Sequence, residues 1–280
     1  MTSASRIIAV GVICLLGCSA IAGPFATQVV SYANLGDSPY DDPSVALGQP
    51  TLTLYDSWGD ETVAISMVYG AWTSDAVVSI KDGGHLAVKF DQPITNNSLN
   101  PYGADFIVFG NSFFTGKSGW VDGSTDMAAY QINSSGAIFG QGTGMTVSVS
   151  QDGQTWHTFE SPLAGIYWPT QAFARWDVSA GAWDQSCVSD FTLPMNPNLM
   201  GEQFGNLTVA EALALYGGSG GGTSFDIGAL GLDWIQYVRA EGKGNVDAFA
   251  AVSPVPEPAT IAIMLIGAAG MFISRRRRSI

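Results

Sequence analysis

Alternating strand patterns, hairpin-type turns between them and a single helical stretch predict a mainly β protein. The expected architecture is an antiparallel β-sandwich or jelly roll with one short helix, flanked by N- and C-terminal hydrophobic helices. Leu86, Val88 and Phe90 alternate with Ala87 and Lys89. Met145, Val147 and Val149 alternate in the same way with Thr146, Ser148 and Ser150. Both segments read as half-buried strands. Lys81-Asp82-Gly83-Gly84 and Gln151-Asp152-Gly153-Gln154 lie between such runs. Asp-Gly supplies the positive φ that a tight hairpin needs, so both predict antiparallel neighbours. With 12% charged and 46% hydrophobic residues, the chain is neither a disordered polyelectrolyte nor a multi-span membrane protein.

The elements follow in chain order. Further strands are expected over residues 28–32, 62–67 and 76–80, and again over 235–240 and 246–252. Asp105-Phe106-Ile107-Val108-Phe109 is apolar on both faces and belongs in the centre of a sheet. The one convincing helix covers residues 209–216. Thr208 and Glu211 form a capping box at its start, and Gly217-Gly218 ends it. Residues 217–222 read as a flexible glycine loop, and residues 253–258 as a linker. The body between the end segments, residues 23–252, is long enough for one sizeable core.

The ends carry addresses. Arg6, an apolar run over residues 7–16 and Ala20-Ile21-Ala22 before Gly23 have the order of a secretory signal peptide, residues 1–22, cut by signal peptidase after Ala22. A competing reading is the lipoprotein box Leu15-Leu16-Gly17-Cys18, which would place a lipid on Cys18. At the other end, Pro256-Glu257-Pro258 precedes a charge-free stretch over 259–273, then Ser274 and Arg275, Arg276, Arg277 and Arg278. As a helix rising ~1.5 Å per residue, that stretch reaches only about 22 Å, short of a ~30 Å hydrocarbon core. It reads as a stop-transfer segment inserted transiently in the inner membrane with its arginines cytoplasmic; an ordinary single-helix anchor is the alternative.

The order Pro-Glu-Pro, short hydrophobic helix, arginine cluster resembles the PEP-CTERM sorting signal of bacterial envelope proteins. That resemblance implies processing by an exosortase-type membrane peptidase and delivery to the cell surface or extracellular matrix. The body has its own resemblance. Ser148-Val149-Ser150-Gln151-Asp152-Gly153-Gln154-Thr155-Trp156, then Tyr237-Val238-Arg239, then Asp247 in a final strand is similar to the discoidin or galactose-binding-like jelly roll. In that fold the Asp-Gly hairpin precedes an inward Trp. A calcium there ties an early loop to an acid on the last strand, which implies Asp41 or Asp42 together with Asp247. Asp37, Asp41 and Asp42 do lie in a polar loop-like stretch, where calcium competes with plain solvated acids as the reading. The body exceeds a typical module of that kind, so inserted regions are expected over 112–143 or 160–222.

Composition narrows the chemistry. The chain carries net −13, and five of its eleven basic residues, Arg6 and the four terminal arginines, sit at the ends. The body is therefore more acidic still, which excludes nucleic-acid binding. Its one cysteine, Cys187, excludes an internal disulfide framework. His85 and His157 are too few for a three-histidine metal site. Gly217-Gly218-Ser219-Gly220-Gly221 matches a nucleophile elbow only formally, because no apolar strand precedes it. Trp120, Trp168, Trp176 and Trp183, with Tyr167, fall in less regular stretches. Flat aromatic faces there can stack on sugar rings, although core packing is the commoner use of such residues. The expected protein is an exported, non-catalytic surface component that binds polysaccharide. A hydrolase using an Asp pair and a matrix component without small ligand are the alternatives.

Overall fold

The computed structural model describes residues 23–33, 39–139 and 144–253. Fourteen strands follow one another as β1 (Gln28–Ala33), β2 (Thr53–Asp56), β3 (Glu61–Ala64), β4 (Val78–Thr95), β5 (Phe106–Phe109), β6 (Phe113–Phe114) and β7 (Ile138–Phe139) in the first half. Then come β8 (Met145–Ser150), β9 (His157–Thr158), β10 (Trp176–Asp177), β11 (Ala182–Trp183), the helix α1 (Val209–Tyr216), β12 (Thr223–Phe225), β13 (Trp234–Val246) and β14 (Ala248–Ala251). All paired strands are antiparallel.

Two sheets carry the body. One has the order β1-β4-β13-β8-β9 and the other β12-β5-β14. They share a core: Leu86, Val88, Val147, Val149 and Val238 of the first pack with Phe106, Val108, Phe225 and Phe249 of the second. Phe106 and Phe225 stack with ring centroids 5.0 Å apart, and Phe159 leans on both. The doubly apolar 106–109 segment is central in its sheet, as its composition predicts, and all four of its residues are buried. The chain passes from one sheet to the other at Asp247, between β13 and β14, so the run expected over 246–252 is divided between two layers.

The capping box on α1 forms as expected. Thr208 Oγ1 accepts from Glu211 N at 3.2 Å, and the Glu211 carboxylate accepts from Thr208 N at 2.8 Å. Gly217 then leaves the helix at φ 59°. Among the described residues this is the one α-helix, and none is long and apolar enough to cross a membrane. Residues 1–22 and 254–280, where the flanking hydrophobic helices are expected, lie outside the described residues.

Four local expectations need correction. Gln151-Asp152-Gly153-Gln154 does turn β8 into β9, but Lys81-Asp82-Gly83-Gly84 makes no hairpin. It lies inside the single strand β4 as a bulge, because the runs on either side both pair with β13 rather than with each other. Residues 217–222 are not a loose loop either. A Cβ on Gly220 would stand 2.2 Å from the Phe191 ring, on Gly221 2.2 Å from Pro169 O, and on Gly222 2.5 Å from Ile107. Glycine is there for close approach, not for mobility. Ser219 in this tract is buried, donates to Leu193 O at 2.6 Å and accepts from Gly221 N, so its hydroxyl holds the turn together.

The other two concern the core. Trp156 is half-buried under the Arg239 guanidinium, 4.4 Å from its ring centroid, and Phe159 fills the core in its place. There is also more than one core. Met127, Tyr130, Ile132, Trp176, Phe204 and α1 build a second apolar cluster from the stretches expected as insertions.

Candidate functional site

Among the described residues the most exposed large aromatic side chains stand on two neighbouring loops. Trp58 is 89% and Trp120 87% exposed. An indole held in water forgoes roughly 2–3 kcal/mol of burial, so two together call for a physical cause.

Trp58 tips the hairpin between β2 and β3. Leu54 and Val63 pair across that hairpin and face inward, which directs Tyr55 outward. Asp56 Oδ1 accepts from Trp58 N at 2.8 Å, and Asp60 takes a left-handed φ of 55° to close the turn. Tyr55 donates its hydroxyl to Asp60. Asp56 Oδ2 also accepts from Tyr69 OH at 3.0 Å, which in turn accepts from Trp72 Nε1 at 2.9 Å. Burial, above all, pushes the Tyr69 hydroxyl up to about 12, so it stays protonated and keeps donating. The turn that carries Trp58 is thus fixed at its base.

Trp120 is fixed in a similar way. Tyr130 OH donates to Gly119 O at 2.9 Å, and Val121 is buried in the second core. Alternation then leaves Trp120 facing out. Asp122 gathers Ser124 N, Ser124 Oγ and Thr125 Oγ1 on one carboxylate oxygen, at 2.9–3.0 Å. Those bonds, led by the Ser124 hydroxyl, hold its pKa below the usual carboxylate range.

Glu61 clasps the two loops. Gly123 N donates to Glu61 Oε1 at 2.9 Å. A Cβ on Gly123 would stand 2.4 Å from Glu61 Oε2, and one on Gly59 3.0 Å from Oε1. The carboxylate lies close against the Gly59 and Gly123 backbone on both sides. Two flat apolar rings edged by carboxylate acceptors can stack on sugar faces and take their hydroxyl protons.

The other tryptophan candidates pack against neighbouring rings. Trp168, at φ 43°, leans on Phe204 with centroids 5.5 Å apart. Trp176 and Trp183 pair across β10 and β11, edge to face at 5.3 Å, with Trp176 only 8% exposed. Tyr167 is exposed, but its carbonyl is held by Thr223 Oγ1. Trp58 was not singled out in the sequence. The signal was present, as an aromatic residue inside Asp56-Ser57-Trp58-Gly59-Asp60, a run otherwise made of turn formers.

Two of the acidic candidates, Asp42 and Asp247, receive donors from the protein itself. Asp42 caps a short 3₁₀ turn by accepting from Ser44 N and Oγ, at 2.9 and 2.6 Å, and Asp41 is exposed beside it. Asp247 is buried and accepts from Thr51 N and Oγ1 at 3.1 and 2.9 Å. Among the described residues no group of three or more His, Cys, Asp or Glu gathers in a way that could hold a metal. Calcium takes six to eight oxygen ligands; Asp42 Oδ1 and both Asp247 carboxylate oxygens already receive protein donors. Asp37 lies outside the described residues. Elsewhere Asp152 and Asp184 serve turns as well. Asp152 is held down at about 2, first by Thr155 N and then by Gln154 N. Asp184 is also held at about 2, first by the Ser186 hydroxyl and then by Arg175. Much of the acidity of the body is therefore turn chemistry.

The architecture is that of an antiparallel, β-rich body with one described helix. Residues 254–278 match the PEP-CTERM protein-sorting motif. That motif belongs to proteins sorted to the cell envelope or surface through an exosortase-type membrane peptidase. Its residues here, Pro256, Glu257, Pro258, Arg275, Arg276, Arg277 and Arg278, lie outside the described residues. No curated protein matches the chain.

Proposed function

We propose that this is a non-catalytic surface protein whose body, a galactose-binding-like sandwich, holds polysaccharide on Trp58 and Trp120. The observation that carries the reading is the pair of indoles, both almost wholly in water and both on loops clasped through Glu61 and Gly123. Rigid loops spare a ligand the ordering cost that mobile aromatic residues would impose. Two separate carboxylates poised for hydrolysis are a poorer account of the acids, since Asp42, Asp122, Asp152 and Asp184 are engaged in their own turns.

The test is retention of the full chain on a panel of insoluble neutral polysaccharides. Retention without new reducing ends is expected. Trp58→Ala and Trp120→Ala should each weaken it by roughly tenfold, the size of one lost stacking contact with its buried area. Released sugars would point to the hydrolase instead. Unaltered retention in the double variant would remove the platform, and self-assembly with no glycan signal would favour a matrix component.

A further inference from the structure

The body has six cationic side chains, Lys81, Lys89, Lys117, Arg175, Arg239 and Lys243. Four of them have partners. Lys89 Nζ lies 5.6 Å from the Tyr237 ring centroid, and Lys117 Nζ donates to Gln131 Oε1 at 2.9 Å. Arg175 pairs with Asp184, and Arg239 pairs with Glu241 at 2.9 Å while covering Trp156. Lys81 and Lys243 have no ion pair or aromatic partner among the described residues. Both are exposed, so their ammonium groups are open to a ligand.

The same two lysines line one cleft of about 320 Å³. The bulge brings them there. Ile80 pairs with Gly244 and Gly84 with Gly242, so Lys81, Asp82 and Gly83 on β4 stand against Lys243 alone on β13. Like charges on adjacent strands repel. The acids nearest in sequence do not relieve them, since Asp82 is not in the cleft wall and Glu241 is tied to Arg239. The remaining wall is rigid. Tyr40 OH donates to Trp72 O at 2.8 Å, and Tyr40 O accepts from Ser79 N at 2.9 Å. Asn245 Oδ1 accepts from Ser79 Oγ at 2.6 Å, which leaves the amide Nδ2 of Asn245 to donate.

We propose that this cleft is an anion site for a small carboxylated ligand of sugar size, a uronate being the simplest case. A carboxylate has two acceptor oxygens and no donor, which complements two ammonium groups and an amide N–H. The volume lies at the small end of ligand pockets, which span roughly 300–1,000 Å³. That volume suits a ligand of about one sugar ring beside the Tyr40 side chain. The site stands apart from the two-indole platform in residues and in chemistry.

Titration calorimetry of the full chain with galacturonate, galactose and inorganic sulfate as probes tests this. Galacturonate should bind, weaken with added salt and lose roughly tenfold or more in affinity in each of Lys81→Gln and Lys243→Gln, the effect of removing one charged hydrogen bond. Trp58→Ala should leave that affinity unchanged, which separates failure of this site from failure of the platform. Galacturonate binding that is absent, equal to galactose binding, or undiminished in the double lysine variant would overturn the proposal. Binding of sulfate without galacturonate would overturn the carboxylate assignment. Surface lysine replacements leave the core intact, and unchanged thermal melting of both variants confirms that any loss is local.

Discussion

Replacing Asp247 with Asn is expected to abolish a fall in stability that the wild-type protein suffers between about pH 4 and pH 7. Asp247 sits where the chain leaves β13 for the second sheet, and its carboxyl is buried with only the Thr51 N–H and hydroxyl to receive. Burial pushes its pKa from 3.8 up to about 7, and the two Thr51 bonds only partly oppose that. The folded state therefore keeps a proton that the unfolded state has already released. A raised folded pKa means stability is fully present below the unfolded value and is lost as pH rises through the folded one. Across that window the linkage amounts to on the order of 4 kcal/mol. Asn has the same shape, keeps an acceptor for Thr51 and never ionises. Thermal melts at pH 5, 6, 7 and 8 should show wild type and variant converging toward acid and separating toward pH 8, with the variant the more stable there. A constant difference over that range would show that Asp247 does not titrate in the fold.

Asp105 gives the contrast. It too is out of contact with solvent, and burial raises its pKa, but it lies less deep and accepts from Asn97 N, Asn100 Nδ2 and Ile227 N. Three donors satisfy an ionised carboxylate better than one threonine does. Asp105 thus ties the loop after β4 to the turn after β12 at smaller electrostatic cost, whereas Asp247 is the carboxyl whose charge state the fold resists.

The sequence made some of this legible and hid the rest for identifiable reasons. The helix and the 151–154 turn were readable because Thr208, Glu211, Gly217 and Gly153 act on neighbours a few residues away. The strand core of 106–109 was readable because both of its faces are apolar. The bulge at Lys81 to Gly84 was not, because Asp-Gly serves a hairpin and a bulge alike and the choice lies with β13, more than 150 residues on. Glycines 220–222 were misread for the same reason, since the Phe191, Pro169 and Ile107 atoms that demand them are remote in sequence. Among the tryptophans, composition could not separate Trp120 from Trp176; burial by distant partners did. The pairing of Lys81 with Lys243 in one cleft likewise depends on strand register, which no local pattern encodes.

Exchanging Arg275, Arg276, Arg277 and Arg278 for Gln is expected to leave the protein almost wholly unprocessed. The apolar stretch before them is too short to cross a bilayer comfortably, so its placement depends on what stands at its ends. If the segment enters the membrane as a stop-transfer stretch, four consecutive arginines would resist translocation and hold the cytoplasmic end, and so set the depth at which Pro256-Glu257-Pro258 meets the peptidase. Glutamine is polar but uncharged, so the segment loses its stop without becoming a better span. Pulse-chase labelling followed by fractionation should show the cut, surface-borne form falling at least tenfold, with the uncut chain accumulating in its place. An ordinary anchor predicts something different: the wild-type chain itself would stay uncut in the membrane fraction, and the exchange would alter only its orientation. Normal maturation of the glutamine variant would separate the arginines from sorting, leaving the proline-glutamate-proline segment to carry recognition without them.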